Sequence, residues 1–352
     1  MNGQTKLVTV VVPCYNGAEW IEKCILSLKN QTYKNIEVII YDNNSSDNSL
    51  AIIKNTIQND SRFSYVRSDV QLSAGESRNL AVNIAKGVYI TYLDCDDTFE
   101  PDYISSMLSK GDDYDYIVCD WNKVYPNGNR EDRIIPFKKE SLNRDDLLEL
   151  QKRIVGENNP KTPLSLDIFS SIAGKLFKLD IIKNHNIMFT SSNKIGGADD
   201  ALFNIEYLEY CHTGIKINKK LYNYLCNPKS FTHKTQKLEK IDKFFLQYDL
   251  FKQFIQKYSK DESYSVALLN RIYIQIFGAF IIAQSSPATK KERLLKLKEY
   301  INSPLITASL KAINPKSFSL VFSPFFRAIK HKHVRFCYFY IKLAMIYRNR
   351  NF

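Results

Sequence analysis

The sequence lacks the paired cysteines of a metal finger, a redox motif or a disulfide framework. Its seven cysteines are an odd number, and no two of them are separated by only two residues. This spacing predicts reduced thiols in a cytoplasmic protein. The start of the chain also lacks a basic segment followed by a long apolar stretch and a small-residue cleavage site, so we expect no signal peptide.

Long hydrophobic runs are absent as well. The longest apolar stretches, residues 272–283 and 336–347, are shorter than the about 20 residues that a helix needs to cross a bilayer, so we expect no transmembrane span. We find no internal repeat and no low-complexity segment. Hydrophobic residues make up 44% of the 352 residues and aromatic residues 13%, which predicts a folded protein with a substantial core.

Negative charge is missing from the C-terminal end. No Asp or Glu follows Glu299, and the basic residues beyond it supply a net nine of the chain's +12 charges. A helix over residues 334–348 would carry Arg335 and Lys342 on one narrow stripe, which predicts contact with an anionic membrane surface. Packing against the preceding helices and a homodimer contact fit the same pattern. Nucleic acid is a weaker option because no recognition motif accompanies the charge. The nine cations are Lys311, Lys316, Arg327, Lys330, Lys332, Arg335, Lys342, Arg348 and Arg350.

Between residues 7 and 120 the sequence alternates between strand-like and helix-like patterns. Such alternation predicts a parallel sheet flanked by helices. Residues 141–225 mix helices with short strands, and residues 237–300 are predicted to be helical. The predicted strands are 7–13, 36–42, 63–67, 88–94 and 114–121, and the predicted helices between them are 18–30, 46–59 and 77–85.

Three carboxylates, Asp94, Asp96 and Asp97, follow the fourth predicted strand. Like charges at this spacing repel one another, so we expect a cation or a hydrogen-bonding ligand to offset the repulsion. In an extended segment Asp94 and Asp96 would share a face, while Cys95 and Asp97 would turn the other way. The cluster therefore predicts a metal site, and an acidic turn that caps the next helix is the alternative.

Polar residues also follow the first two predicted strands. Ligands of open parallel sheets bind beyond the carboxyl ends of the strands. Tyr15 at the end of the first strand could stack on a nucleobase, and Asp42 at the end of the second could accept the imide N–H of uracil, a donor that cytosine lacks. Either feature alone is also ordinary turn or helix-entry chemistry. Their convergence on one edge of the sheet favours a nucleotide site.

Together these segments resemble the family-2 glycosyltransferases of the GT-A fold. Those enzymes open with a strand and Pro-x-Tyr-Asn, matched here by Pro13-Cys-Tyr-Asn16, and their Asp-x-Asp motif is matched by Asp94-Cys-Asp-Asp97. Residues 27–49 resemble their second block, and Gly75-Glu-Ser-Arg-Asn79 resembles Gly-x-x-x-Ala-Arg-Asn. The match is close over residues 7–105 and looser to about residue 233. One departure is Asp42-Asn-Asn44 in place of the usual Asp-Asp-Gly, which puts the local turn in doubt.

The resemblance implies an α/β fold of GT-A type: a mostly parallel sheet flanked by helices, with a Rossmann-like nucleotide-binding half, followed by a helical C-terminal region. It implies a catalytic domain over 1–233, with a nucleotide-binding half (1–121) and an acceptor half (122–233). A helical region (234–310) and a basic aromatic tail (311–352) would follow.

The implied activity is inverting transfer of a hexosyl or N-acetylhexosaminyl group from a UDP-sugar to a hydroxyl of a glycan acceptor. We expect an oligosaccharide or a lipid-linked acceptor of lipopolysaccharide or capsule type, and a place on the inner face of the cell membrane. A catalytically silent nucleotide-sugar-binding or scaffold protein of a glycan assembly complex is the alternative.

The resemblance also implies roles for individual residues. Asp96 and Asp94 would hold a divalent metal, Mn²⁺ or Mg²⁺, at the leaving diphosphate. Arg78 would add a fixed positive charge near the nucleotide, with a surface helix charge as the alternative. The implied nucleotide-sugar contacts are Pro13, Tyr15, Asn16, Asp42, Arg78, Asp94 and Cys95.

In the second half, residues 197–203 resemble the family's Glu-Asp-x-x-Phe block. By this resemblance Asp200 is the catalytic base, and Asp199 stands where Glu is usual. Paired acids in the first turn of a helix are the structural alternative, and both can hold together. Lys175 lies in a segment that resembles the acceptor-side block, and we expect it to approach the diphosphate or the acceptor. Lys229 and His233 would approach the diphosphate, or lie on a surface loop.

Overall fold

The computed structural model describes residues 5–110, 113–137, 139–156, 169–226 and 237–350. These residues form two compact units. Unit 1 lies within Met1–Gln151 and Ile168–Ser230, and unit 2 lies within Lys152–Asp167 and Phe231–Phe352. Residue 233 falls outside the described residues, so the division into 1–233, 234–310 and 311–352 stays a prediction.

The strands of unit 1 form one mixed sheet. In the described part of the chain its order is β3-β2-β1-β4-β9-β6-β10-β5, with β7 paired to β6 and β8 paired to β10. Strands β1 to β4 run parallel to one another, as do β6 and β10, whereas every pairing of β5, β7, β8 and β9 is antiparallel. The strands are β1 (Val8–Cys14), β2 (Ile36–Asp42), β3 (Phe63–Arg67), β4 (Tyr89–Tyr92), β5 (Thr98–Phe99), β6 (Tyr116–Val124), β7 (Arg130–Arg133), β8 (Ser141–Leu142), β9 (Lys175–Lys178) and β10 (Gly214–Leu225).

Helices flank this sheet and make up unit 2. The first eight described α-helices are α1 (Ile21–Lys29), α2 (Ser49–Ile57), α3 (Ala74–Ile84), α4 (Tyr103–Met107), α5 (Arg144–Val155), α6 (Leu179–Asn184), α7 (Ser192–Ile195) and α8 (Asp199–Glu209). The others are α9 (Lys243–Lys257), α10 (Glu262–Ser285), α11 (Lys290–Asn302), α12 (Pro304–Ala312), α13 (Ser323–Lys330) and α14 (Val334–Arg350). The predicted α/β fold, with a mostly parallel central sheet, flanking helices and a helical C-terminal region, is confirmed.

Strand β1 is central because both of its edges are paired. All seven of its residues are buried, and it runs parallel to β2 on one side and β4 on the other. Helix α1 covers one face of the sheet. Its buried side chains Ile21, Cys24, Ile25 and Leu28 follow the helical spacing and lie on one side of the helix. The register sets Cys14 opposite Asp42. The carboxyl ends of β1 and β2 therefore lie side by side, as the strand pattern predicted.

Several predicted element boundaries are wrong by two or three residues, and two of them have a clear physical cause. Helix α3 begins at Ala74 and not at Ser77, because Ser73 and Glu76 form a reciprocal capping box. Strand β4 ends at Tyr92, and the acidic cluster after it forms a turn closed by a 2.9 Å hydrogen bond from the Asp97 N–H to the Asp94 carbonyl. The cluster is therefore not an extended segment, and strand alternation does not determine where its side chains point.

Helix α10 is the centre of unit 2. The basic tail packs into the same core, where Phe325, Phe326 and Ile329 of α13 and Cys337 and Ile341 of α14 are buried. The tail is thus part of this folded unit. Helix α10 is 24 residues long and apolar enough to cross a membrane by length and composition, but 61% of its most apolar window is buried inside the protein. A core helix passes the same test, so this is weak evidence for a span.

The packing of α13 predicts a difference between two phenylalanines of the tail. Phe325 is fully buried, whereas Phe339 is 58% exposed. Phe325→Ala should lower the free energy of unfolding by about 3–5 kcal/mol, because it leaves a cavity in the core of unit 2. Phe339→Ala is the matched control and should change it by about 0.5 kcal/mol or less. Chemical denaturation of the full chain measures both, and equal effects would contradict the packing of α13.

Candidate functional site

The turns after β1 and β2 are tied together by hydrogen bonds. The Asn16 N–H donates to Ser45 Oγ at 2.9 Å, and the Ser46 N–H donates back to Asn16 Oδ1 at 2.9 Å. Asn16 has a φ of 49°, a left-handed conformation that Asn tolerates better than most residues. Between these bonds Tyr15 is left 41% exposed at the end of β1, next to Pro13. Pro13, Tyr15 and Asn16, three of the residues predicted to contact a nucleotide, therefore lie together at this edge of the sheet.

Asp47 is a further element of this edge that the sequence analysis missed. Its carboxylate accepts the Ala18 N–H at 3.0 Å and the Ser49 hydroxyl at 2.5 Å, and Ser49 Oγ accepts the Gly17 N–H at 2.8 Å. Burial raises the pKa of Asp47, but the bonds from Ser49 and Ala18 outweigh it, and the pKa lies below its usual value. The segment Ser45-Ser-Asp-Asn-Ser49, at the end of the second family block, thus supplies hydrogen-bonding groups that fix the turn after β1.

Asp42 is buried at the end of β2. Its Oδ1 accepts the Ser45 N–H at 3.3 Å, while its Oδ2 is buried with no hydrogen-bond donor among the described residues and lies 3.5 Å from Arg67 Nη1. The Asn43 side chain accepts the Ser77 hydroxyl at 2.6 Å, and Asn44 has a φ of 59°. Asn44 therefore adopts the left-handed conformation that suits glycine at this position, so the departure from Asp-Asp-Gly leaves the turn intact.

The members of the acidic cluster differ in environment. The Asp94 side chain is 48% exposed and Asp96 is partly exposed, while Asp97 is buried and accepts the Tyr222 hydroxyl at 2.6 Å and the Leu225 N–H at 2.7 Å. Burial, with the nearby charges of Asp96 and Asp94, raises the pKa of Asp97 well above its usual value. Asp97 joins the turn to β10, and only Asp94 and Asp96 are accessible to a ligand.

Cys95 packs beside Cys14 under the first turn. A Cβ on Gly17 would lie 3.0 Å from the Sγ atoms of both cysteines, so a side chain larger than hydrogen would displace them. A hydrogen bond with Cys14 and burial raise the pKa of the Cys95 thiol well above its usual value. The thiol side chain therefore belongs to the packing beneath Gly17, which leaves the Cys95 backbone as the part that could meet a nucleotide sugar.

Arg78 links the acidic cluster to the second half of unit 1. Its guanidinium is buried, with Nη2 2.6 Å from Asp94 Oδ1 and Nη1 3.5 Å from Asp200 Oδ1. It also lies over the rings of Phe189 and Tyr92, at 5.4 and 5.9 Å from their centroids. Burial alone would lower the pKa of Arg78, but the carboxylates raise it above its ordinary value, so the charge is permanent. The alternative of a surface helix charge is wrong.

Asp199 and Asp200 occupy the first turn of α8, as the sequence predicted. Besides Arg78, Asp200 is held by the Ile172 N–H, which donates to its Oδ2 at 3.3 Å. Burial, opposed by Arg78 and reinforced by Asp199 and Asp94, raises the pKa of Asp200 to about 7. Burial also raises the pKa of Asp199. A carboxylate with a pKa near neutrality is suited to accept a proton at physiological pH.

Lys175 has a different place from the one predicted. Its ammonium is buried and donates to the carbonyl oxygens of Phe169, at 2.9 Å, and Ser171, and to Asn204 Oδ1 at 3.3 Å. Burial lowers its pKa to about 7. Lys175 is therefore committed to the segment that presents the Ile172 N–H to Asp200, and not to a diphosphate. Lys229 and His233 lie outside the described residues.

The carboxylates at this edge suit a hard divalent cation. Among the described residues no group of three or more His, Cys, Asp or Glu side chains could hold a metal by itself. Mg²⁺ and similar ions in nucleotide enzymes use one or two carboxylates and complete their shell with phosphate oxygens and water. The accessible pair Asp94 and Asp96 fits that second arrangement and not an all-protein cage.

Sequence comparison relates part of the chain to known enzymes. Residues 9–169 match the description Glycosyl transferase family 2. The chain is 26% identical over 263 residues to EpsH of Bacillus subtilis, a protein assigned as a glycosyltransferase, covering 74% of this chain and 72% of that one. It is 30% identical over 107 residues to a GalNAc(5)-diNAcBac-PP-undecaprenol β-1,3-glucosyltransferase of Campylobacter jejuni, covering 30% of this chain and 35% of that one.

Solved structures share the fold. Staphylococcus aureus TarS in complex with UDP-GlcNAc aligns over 97% of this chain and 92% of its own, with a TM-score of 0.55 and 15% identity. The Pyrobaculum calidifontis mannosyltransferase PcManGT, in complex with GDP-Man and Mn²⁺, aligns over 98% and 87%, with a TM-score of 0.51 and 15% identity. At this identity the likeness concerns the fold. Residues 9–169, which match glycosyltransferase family 2, and the sequence relatives together support a glycosyltransferase domain of this family in the chain.

Proposed function

We propose that the protein moves a sugar from a UDP-sugar to a hydroxyl group of a glycan acceptor, with inversion at the anomeric carbon and with a divalent metal. The observation that carries the proposal is that Arg78 forms ion pairs with both Asp94 and Asp200. One buried guanidinium joins a carboxylate at the donor edge of the sheet to a carboxylate whose pKa is close to neutrality. Inverting transfer needs a leaving-group site and a base, and the proposal assigns these two roles to the two carboxylates.

The donor proposal rests on Asp42. Its buried Oδ2 forms an ion pair with Arg67 Nη1 at 3.5 Å but has no hydrogen-bond donor among the described residues, so the N–H of a ligand would complete its hydrogen bonding. The imide N–H of uracil would do so, whereas the unprotonated ring nitrogen of cytosine would face the carboxylate with a lone pair. The complex of TarS with UDP-GlcNAc supports this choice by analogy. Guanine also presents a ring N–H, so a donor screen should set UDP-sugars beside GDP-mannose.

The metal proposal rests on Asp94 and Asp96. These carboxylates would hold Mn²⁺ or Mg²⁺, and a bound ion would neutralise charge on the departing diphosphate. The Arg78 guanidinium, which donates to Asp94, holds that carboxylate in place and adds a second positive charge beside the nucleotide. Asp97, through Tyr222 and the Leu225 N–H, keeps the turn that carries both ligands attached to β10.

The base is Asp200 in this proposal. Its carboxylate takes the proton of the acceptor hydroxyl while the hydroxyl oxygen forms a bond to the anomeric carbon. The bond from that carbon to the diphosphate oxygen breaks, and its electron pair leaves with UDP. The Arg78 Nη1 and the Ile172 N–H orient the carboxylate for this step. Attack from the face opposite the leaving group inverts the configuration.

The acceptor proposal is a lipid-linked or oligosaccharide glycan of lipopolysaccharide or capsule type. Support comes from the Campylobacter jejuni relative, whose name describes a glucosyltransferase acting on an undecaprenol-linked diphosphate glycan. A lipid-linked acceptor would place the enzyme at the inner face of the cell membrane, as a peripheral protein. The basic C-terminal end supplies positive charge suited to that surface. A homodimer stays a prediction.

Asp200→Asn is the test that separates the proposed enzyme step from nucleotide binding alone. Asn keeps the size of the side chain but cannot accept the acceptor's proton, so transfer should fall by about 10²–10⁴-fold. The affinity for UDP should change little, since Asp42, Tyr15 and the Asp94 turn remain. Asp199→Asn is the matched control on the same helical turn and should be milder. If Asp199→Asn abolishes transfer and Asp200→Asn does not, Asp199 is the base.

A second prediction concerns pH. Protonated Asp200 cannot act as a base, so kcat/KM should rise with pH and level off above about 7, the pKa raised mainly by burial. The charge of Asp199 contributes to that increase, so Asp199→Asn should move the acid limb to lower pH. A pH profile of kcat/KM for both proteins at constant metal concentration measures this. A limb that stays at the same pH in the variant would remove Asp199 as a cause.

Asp96→Ala tests the metal proposal. The side chain is partly exposed at a turn, so its loss should leave the melting temperature nearly unchanged while metal-dependent transfer is abolished. Asp97→Ala is the contrasting variant, because it removes the buried acceptor of the Tyr222 and Leu225 hydrogen bonds and should lower the melting temperature. A manganese titration of donor hydrolysis, with thermal unfolding in parallel, separates the two. Unchanged turnover in Asp96→Ala would exclude Asp96 as a ligand.

A further inference from the structure

Helix α14 exposes a stripe of large apolar side chains. Phe336, Phe339, Leu343 and Ile346 are between 43% and 58% exposed. Their spacing of three, four and three residues sets them on one side of the helix along its axis. Single exposed apolar residues are ordinary, but a continuous row of this size marks a surface that binds something.

The opposite side of α14 is anchored. Val334, Cys337, Tyr338 and Ile341 are buried in the core of unit 2, together with residues of α10 and α13. The apolar stripe is therefore not the face of α14 that packs into the core of unit 2. It points outward from a helix whose rotation is fixed by packing.

The turn before α13 extends the same surface. Leu320 is 93% exposed and Val321 is 65% exposed. The Tyr340 hydroxyl donates a hydrogen bond to the Val321 carbonyl, and Tyr340 also stacks with Phe336 at a centroid distance of 6.2 Å. Leu320 and Val321 thus lie beside the stripe, which becomes a patch two segments wide.

Cations flank the stripe. Arg335 and Lys342 are exposed, and at seven residues apart they lie on one edge of the row, between the apolar side chains and the buried face. No acidic residue occurs in the chain after Glu299, so the patch carries no negative charge of its own. An occupant must take up apolar side chains and also present negative charge at the rim.

We propose that this docking patch, made of Leu320, Val321, Phe336, Phe339, Leu343 and Ile346 with Arg335 and Lys342 at its edge, inserts into the headgroup layer of an anionic lipid membrane. A helix that lies in the interface buries its apolar side among the acyl chains while its cations meet lipid phosphates. A second copy of the chain fits less well, because symmetric contact would bring the cations of both copies together without an acidic partner. The inference rests on the proposed function only for the presence of a membrane-bound acceptor.

Deletion of the tail is unsuited to test this, since it would also remove core residues such as Phe325. The full chain is compared with three variants instead. The apolar variant is F336S/F339S/L343S/I346S, and the charge variant is R335Q/K342Q. The control is L295S, which replaces a residue that is 66% exposed on α11, outside the patch. Each protein is sedimented with vesicles of phosphatidylcholine and with vesicles of phosphatidylcholine and phosphatidylglycerol, and its donor hydrolysis is measured.

The wild type and L295S should bind the phosphatidylglycerol vesicles, and bind the neutral vesicles more weakly. The charge variant should lose about tenfold or more in affinity, together with the dependence on salt, because each cation near an anionic surface contributes about fivefold. The affinity of the apolar variant for these vesicles should fall at least about a hundredfold, because the serine side chains bury no comparable apolar surface in the membrane. All variants should hydrolyse the donor at the wild-type rate.

Two results would overturn the inference. Equal vesicle binding by the wild type and the apolar variant would show that the patch does not meet lipid. A wild type that ignores vesicles but is a dimer by light scattering, with a monomeric apolar variant, would assign the patch to a second copy. Absence of donor hydrolysis in the wild type, with vesicle binding intact, would instead contradict the proposed function and leave the docking patch standing.

Discussion

The buried guanidinium of Arg78 is the interaction on which the site depends. A cation removed from water is unfavourable unless anions and hydrogen bonds replace its hydration, and here Asp94 and Asp200 do so from two distant segments of the chain. The need for charge balance therefore holds the turn after β4 and the start of α8 together. Loss of either carboxylate would leave Arg78 less compensated, so the proposed metal ligand Asp94 and the proposed base Asp200 share one partner.

Around this centre, the sheet edge is fixed by groups that take no part in chemistry. Asp47 and Ser49 secure the turn after β1, the capping box of Ser73 and Glu76 sets the start of the helix that carries Arg78, and Asp97 attaches the acidic turn to β10. Each such bond contributes only about 1 kcal/mol. Their value lies in position: the bonds of Asp47, Ser49 and Asp97 join segments far apart in sequence, and the capping box fixes the first turn of the helix that carries Arg78.

Local patterns predicted the parts of the fold that local physics controls. Apolar runs marked β1 to β4, and polar residues after them marked the ligand edge. Pairings across the chain were not predictable in this way. The sequence contains Arg78 and Asp200 but no sign that they meet, and Lys175 is an ordinary motif lysine until the carbonyl oxygens of Phe169 and Ser171 surround it. The extended segment assumed for Asp94 to Asp97 is wrong because a turn replaces the strand, although Asp94 and Asp96 are accessible and Cys95 and Asp97 pack inward as the alternation predicted. The capping box at Ser73 could have been recognised from Ser-x-x-Glu.

The exposed apolar residues lie along one side of α14, and this arrangement has a consequence for the diffusion of the protein on a membrane. From Phe336 to Ile346 the row extends about 15 Å along the helix axis, and Leu320 lies to one side of it, so the exposed apolar groups define a plane and not only a line. A protein held at a membrane surface through such a plane can no longer tumble or tilt. It retains only lateral diffusion and rotation about the membrane normal. Docked in this way, the protein would search for acceptors in two dimensions, where collision frequency depends on surface density and not on bulk concentration.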